Sequence, residues 1–492
     1  MPVLNASAVT APGTYISENT AGLIPASTAT FDRCYIIGTG STGPFNTPTQ
    51  VVSADDFTNQ FGSSPSTNSI KLFFNNLANG ILFFVRATAK QIGSITIATP
   101  TAGAYSVTIN GTAISYTAPA SPTLQGIIDG LINAINSNST VNAVVVAQDN
   151  TTGDGVFTIT ARNAGTAFTL TGGTAPAGST IALTADTLPG LADDYVYAIQ
   201  NSFDPDVHAQ GFLIAPEAFA TLTSQSDRTS VATAMENQAA TEGFDWIALV
   251  DSGPASGTGA TDTSAKANTE GQFYTTARGH LAYFFPYVID LNDNVVPPSA
   301  GVAAIALWRY QNEGFAQPPA GAKYPMRGVK DVTVRLTKAQ QAVSNPLGIN
   351  YIRNLPNLGV VVWGARTRSS SPYFRFVNTR IILNVLIGTL RGAFDSVIFT
   401  AVDGQGVLFT RIRETAAAIC YQFWDGGALF GQTPVEGFEV VCDRTNNPAL
   451  DLENGIVRFD VYAAPSPTLE RLLGRVNRVA IGQVQIAADQ PV

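Results

Sequence analysis

Polar and apolar positions change their rhythm several times along this chain. Residues 1–27 hold only short apolar fragments, broken by Pro2, Pro12, Gly13, Gly22 and Pro25. Fragments of that kind build no core of their own, so an extended arm lying on another surface is expected. Order is expected from 34–38, a strand pattern closed by glycines. Segments 55–61 and 70–78 read as short helices, and 81–87 as a buried strand. Residues 105–109 alternate, meet Asn110-Gly111, and alternate again over 113–116, which predicts a hairpin. Segment 124–136 has helical spacing, with Ile127, Ile128, Leu131, Ile132 and Ile135 on one face. Strands are expected at 143–147, 156–161 and 167–170.

From 191 the pattern is mixed. Segments 211–216 and 246–251 read as buried strands around a helix over 227–242. A Gly/Ser/Thr loop follows at 252–267, and 283–288 and 301–310 flank a Pro297-Pro298 turn. Further on, strands at 360–364, 438–442 and 457–462 mix with amphipathic helices at 376–390, 409–424 and 467–479. The last helix is expected to take Ser466 as its cap and Pro467 as its first residue. It would set Arg471, Arg475 and Arg478 opposite Leu469, Leu472, Leu473 and Val476. Residues 481–492 read as a strand with a polar end. These elements predict an α/β (α+β) multidomain protein in six segments: 1–27, 28–91, 92–190, 191–359, 360–478 and 479–492.

Composition sharpens the picture. Only 13% of the 492 residues are charged, about half the share in ordinary soluble chains. Thr, Ser, Asn, Ala and Gly take their place, giving a neutral surface that loses little side-chain entropy when covered. Segment 92–190 is extreme, with Arg162 as its single basic residue. The net charge of −9 argues against direct nucleic-acid binding, which needs a basic surface. Cys34, Cys420 and Cys442 are an odd number without framework spacing, so reduced buried thiols are expected. No basic segment precedes an apolar run at the start, and no run of 18 apolar residues occurs. A soluble chain made in the cytoplasm, without membrane insertion, is expected.

Catalytic chemistry finds little support. Gly38-Thr-Gly40-Ser-Thr-Gly43 has dinucleotide-loop spacing, yet Pro44, Asn46, Thr47 and Pro48 follow where a helix must start, so a turn is expected. Gly253–Gly259 lacks the Lys-Ser/Thr of a phosphate loop. With His208 and His280 alone, no zinc spacing arises, and the Asp204/Asp206 and Asp149/Asp154 pairs read as turns. No catalytic residue, metal or cofactor is assigned. A hydrolase working through Asp251 or His280 is the most distant reading.

The residues bring a family into view. Pro12-Gly-Thr-Tyr15, the run from Tyr35 to Pro44, Phe83-Phe-Val-Arg86, Tyr283-Phe-Phe-Pro286 and Gln317-Pro-Pro-Ala-Gly321 resemble the sheath protein of contractile tails. So do Gly348-Ile-Asn350, Val362-Trp-Gly-Ala-Arg-Thr367, Gly426–Gly437, Cys442-Asp443 and Ala464-Pro465. Such sheaths occur in contractile bacteriophages, R-type pyocins and related injection systems. The likeness spans the chain apart from 92–190, which looks like an outer-surface insertion. It implies a core of the N- and C-terminal parts around a middle domain, with terminal arms exchanged between subunits. Gly13, Thr14, Tyr15, Ile16, Ile481, Val484 and Ile486 then make intersubunit contacts. The inner-tube contact candidates are Arg411, Arg413, Asp425, Gln432, Arg471, Arg475 and Arg478. The implied partners are further copies in a helix of stacked rings, an inner tail tube protein, and baseplate and tail terminator proteins. The implied location is a virion tail or injection-system particle assembled in the host cytoplasm. A β-rich surface-layer or adhesin protein is the alternative from another class.

Overall fold

Cys34 and Ile36 pack to one side of the strand Arg33–Gly38, Tyr35 and Ile37 to the other, and all four are fully buried. A strand apolar on both faces belongs inside a covered parallel sheet. The computed structural model, which describes residues 29–185, 192–254 and 263–474, places it in a sheet of eight strands. Their order is Gly359–Val362, Ile349–Leu355, Leu281–Phe285, Ile247–Asp251, Gly211–Ile214, Arg33–Gly38, Ile81–Arg86 and Thr49–Val51. The six inner strands pair in parallel, and each edge strand is antiparallel. Strands from 33–86 and from 211–362 therefore share one sheet.

Helices cover both faces. Ala54–Phe61, Thr67–Asn76, Ser299–Glu313 and Val377–Phe394 close one side. Ala192–Asn201, Pro216–Thr221 and Gln225–Ala240 close the other. The second side holds Tyr35 stacked on Trp246 at 4.3 Å between centroids, with both polar tips donating to the Ala209 carbonyl. The apolar run 301–310 lies inside the helix Ser299–Glu313, which is buried on nearly every side.

The insertion has a core of its own. Ile181–Ala185, Ile92–Ile97, Val156–Ala161 and Val145–Gln148 form a four-stranded sheet. Thr112–Ala118, Gly103–Ile109 and Leu170–Thr174 form a three-stranded one. The helix Leu124–Ser137 supplies Ile127, Ile128, Leu131 and Ile135 to the core that joins them. The predicted hairpin is there: Asn110 and Gly111 both take left-handed φ, 47° and 76°, as a two-residue turn of this hand requires. The strand expected at 167–170 begins only at Leu170.

One helix is not as expected. Residues 466–474 form neither helix nor strand, where the start of a helix over 467–479 is expected. Ser466 spends its N–H on the Ala428 carbonyl and its hydroxyl on that of Gly427, and Thr468 donates to Asn378 at 2.6 Å. These tertiary bonds override the Ser-Pro capping signal. Leu469, Leu472 and Leu473, expected on the helix face opposite the arginines, are all exposed.

Candidate assembly surface

Two long helices build the C-terminal part. Val407–Asp425 buries Leu408, Phe409, Ile412, Ala416, Ile419, Cys420 and Phe423, and these positions follow the helical repeat. Asp403 starts it, its carboxylate accepting from the N–H groups of Gln405, Val407 and Leu408. The outward face carries Val407, Arg411, Glu414, Tyr421 and Asp425. Beside this helix lies the hairpin Phe438–Val441 and Asp460–Ala463, a two-stranded sheet with no further strand on either edge among the described residues. A sheet of two strands is marginal alone, and its open edges are templates for another chain.

The apolar surface is unevenly spread. Ile398, Phe399, Val402, Val407, Phe430, Val435, Tyr462 and Leu469 all lie in this part and are exposed. Phe399 is wholly exposed and sits at a φ of 67°, strained for a bulky residue. Exposed apolar side chains in this number make the C-terminal part the candidate for contact with another molecule.

The segment 464–474 crosses this part as a strap. Arg366 holds it with a two-pronged pair to Glu470, Nε to Oε1 at 2.9 Å and Nη2 to Oε2 at 2.5 Å. The third guanidinium nitrogen donates to Asn345 O. Behind Arg366, Asn350 accepts from its N–H at 2.7 Å and donates to the carbonyls of Arg366 and Tyr283. Asn378 donates to Ala316 O and Ser466 O. The first described residue is tied to the same helix further along: Ala29 N–H donates to Thr389 on Val377–Phe394 at 2.9 Å.

The inner-tube candidates fall into groups. Arg411 and Arg413 lie near the start of the helix Val407–Asp425, where Arg413 pairs with the exposed Glu414, a contact of little energy. Asp425 ends that helix about 21 Å further along its axis. Gln432 lies on the turn behind it, closed by Trp424 Nε1 donating to Gly431 O and by Gln432 N–H donating to Glu436. Arg471 is exposed on the strap. Arg475, Arg478, Gly13, Thr14, Tyr15, Ile16, Ile481, Val484 and Ile486 lie outside the described residues. Asn350, Arg366, Asn378 and Glu470 carry the strap and had been given no role from the sequence. Asn350 and Arg366 stood inside the quoted motifs, which was the one available signal.

The two candidate hydrolase residues are spent structurally. His280 is buried, its Nδ1 2.8 Å from Trp246 O, and burial with the Arg380 charge lowers its pKa to about 4. Asp251 is fully buried and accepts from Ser299 N–H and Oγ at 2.9 and 2.5 Å, starting the helix Ser299–Glu313. Burial pushes its carboxyl up to about 7 from 3.8. The folded state therefore binds the proton more tightly, and this group's stabilisation is complete below pH 4 and lost as pH rises through 7. Asp251→Asn should remove a stability difference on the order of 4 kcal/mol between pH 4 and 8. Urea unfolding of both proteins across that range measures it; parallel profiles would refute the assignment. Among the described residues no group of three or more His, Cys, Asp or Glu could hold a metal, and no helix is long and apolar enough to cross a membrane.

Comparison with known proteins agrees with this architecture. Residues 205–368 match the phage tail sheath protein central domain. Over 200 residues the chain is 24% identical to a tail sheath protein of Vibrio phage KVP40, covering 40% of this chain and 28% of that protein. A chain from the anti-feeding prophage baseplate superposes with a TM-score of 0.58 at 16% identity, over 96% of this chain and 100% of that one. A chain from the contracted PVC sheath complex of an extracellular contractile injection system gives 0.58 at 16% identity, over 96% and 98%. The anti-feeding prophage helical sheath in its contracted state gives 0.55 at 17%, over 96% and 100%. Residues 205–368 are thus similar to the central domain of phage tail sheath proteins, and the whole described fold is the one seen in those sheath and baseplate chains.

Proposed function

We infer that this chain is the structural subunit of a contractile sheath. Copies polymerise as a helical tube around an inner tail tube and contract from a metastable extended lattice. Contraction drives the tube through a target cell envelope. The observation that carries this reading is the C-terminal hairpin, both of whose edges are open among the described residues, set in the part that exposes most of the large apolar side chains described. Strand addition to such a sheet supplies affinity through main-chain bonds. Arm residues Gly13–Ile16 and Ile481–Ile486 of neighbouring copies are the proposed added strands. Contacts of this head-to-tail kind propagate as an open helix, and exchanged strands keep it connected while rigid bodies rotate.

Arg411, Arg413, Asp425, Gln432 and the Arg471/Arg475/Arg478 group are the proposed tube contacts. Baseplate and terminator proteins are further partners, and the location is the tail or injection particle, assembled in the host cytoplasm. The reading assigns no catalytic step. The matches above are to sheath and baseplate chains and lend the surface-layer or adhesin alternative no support.

Negative-stain microscopy of the full chain and of a chain lacking residues 1–20 tests it, each with the tube protein as template. Tubes from the full chain and none from the shortened one are expected. Dispersed monomers from both would refute the sheath reading, and tubes from both would refute the role of the N-terminal arm.

A further inference from the structure

Open parallel sheets bind ligands in the crevice at the carboxyl ends of their strands, where the chain reverses its direction of travel across the sheet. Here that point lies between Arg33–Gly38 and Gly211–Ile214. From the first strand the sheet grows one way to Ile81–Arg86, and from the second the other way to Ile247–Asp251. The glycine-rich loop 38–43 stands at this crevice, and no helix follows it to offer amides to a phosphate.

The crevice is nevertheless an anion site, and it is filled. Glu217, 4% exposed, directs its carboxylate into it from the short helix that follows Gly211–Ile214. Thr39 N–H donates to Oε2 at 2.9 Å, and Thr39 Oγ1 donates to Oε1. Ser66 Oγ donates to Oε2 at 2.6 Å, and Tyr195 O–H donates to Oε1 at 3.0 Å. Gly38 leaves the room: a Cβ there would lie 2.2 Å from Ser66 Oγ and 2.9 Å from Glu217 Oε2. Four donors from three separate segments converge on one buried carboxylate, an arrangement that recognises R–COO⁻ and leaves no place for a cation.

We propose that this crevice is a carboxylate-binding site whose ligand is the chain's own Glu217, fastening the root of the inserted domain to the sheet. Tyr195 lies on Ala192–Asn201, the first described helix after the insertion. Asp194 on the same helix accepts from Ala89 N–H at 2.6 Å, just before the insertion starts. The self-supplied carboxylate thus ties the helix after the insertion to the strand loop at Thr39 and to Ser66, and Asp194 on that helix holds the residue before the insertion.

Cavity rescue tests the proposal, because Glu217→Ala deletes the atoms of one acetate ion. The variant should lose about 5 °C in Tm, since it leaves Tyr195 and Ser66 as buried donors without an acceptor. Sodium acetate at about 100 mM should restore most of the loss along a saturating curve. Equal sodium chloride should not, and neither wild type nor Glu217→Gln should gain by more than the general salt effect. An acetate response no larger than that of wild type overturns the proposal. If Glu217→Ala does not fold in ordinary buffer, it is refolded from urea in acetate and in chloride. Folding in acetate alone supports the site, and folding in neither overturns it.

Discussion

Replacing Glu470 by alanine is expected to release the C-terminal strap while the sheet stays folded. The Arg366 and Glu470 side chains are 9% and 18% exposed, so removing the acid leaves a largely buried guanidinium with two nitrogens unpaired. Breaking buried pairs one-sidedly costs about 3–5 kcal/mol. The remaining exposure and the retained bond to Asn345 O reduce that here to about 2–3 kcal/mol. This free energy falls on local opening of 464–474, not on the whole fold. Trypsin cleavage after Arg471 should therefore quicken by about 30- to 150-fold. Glu470→Gln, which keeps one acceptor, should lie between the two. Arg366→Met with Glu470→Leu should recover most of the protection, because apolar replacement of a buried pair is often neutral. A cleavage rate unchanged by Glu470→Ala would show that the strap is held elsewhere. In the proposed sheath the same variant should form tubes poorly, since the strap sets where the C-terminal arm leaves the body.

The strap also shows where local sequence signals stop being informative. Ser466-Pro467 followed by Leu469, Leu472 and Leu473 has both the cap and the spacing of a helix. What holds it out of a helix is Asn378, Arg366 and the 427–428 turn, all far away in the chain. By contrast, Asn110-Gly111 sets its own backbone, and the helix Leu124–Ser137 declares its buried face by spacing alone. Those elements were legible because the forces that fix them act within a few residues. Sheet membership was not. Cys34–Gly38 and Gly211–Ile214 are both uniformly apolar, and nothing in either tells which strand lies beside it. Parallel pairing across the whole insertion has no turn to set its register.

The candidate surface was legible in the same uneven way. The lone hairpin strands and the amphipathic helix over 407–425 could be read from pattern, and the family likeness gave them a meaning. Asn350, Asn378 and Glu217 could not be read so. Each works by bonds to residues between 16 and 178 positions away, and a polar residue beside a strand has many commoner uses. Glu217 next to Pro216 reads as an ordinary first-turn acid of a helix.

Cutting out residues 91–191 and joining Lys90 to Ala192 through a short Gly-Ser linker should leave the remaining protein folded. The insertion's core, centred on Ile95, Val107, Ile127, Leu131, Phe157 and Ile159, shares no residue with the clusters on either face of the large sheet. Its first and last described strands pair antiparallel, Ile97 with Ile181 and Gly93 with Ala185, so its two ends lie side by side. Asp194 already reaches Ala89 N–H across the gap that the linker must close. The cut removes the bond from Gly165 N–H to Ala89 O at 3.2 Å and the packing of Gly165 beside the Phe45 ring, and Phe45 is 36% exposed even with the insertion in place. The shortened chain should keep its Tm within about 4 °C of wild type, equivalent to about 3 kcal/mol for a chain of this length. Residues 92–185 alone, long enough for a single core, should unfold as one cooperative unit. Calorimetry of the three proteins decides both points, and a shortened chain that fails to fold would mean that the insertion completes the main core. The strongest consequence is for assembly: if the insertion sits on the outside of the sheath, the shortened chain still makes tubes, and they are narrower.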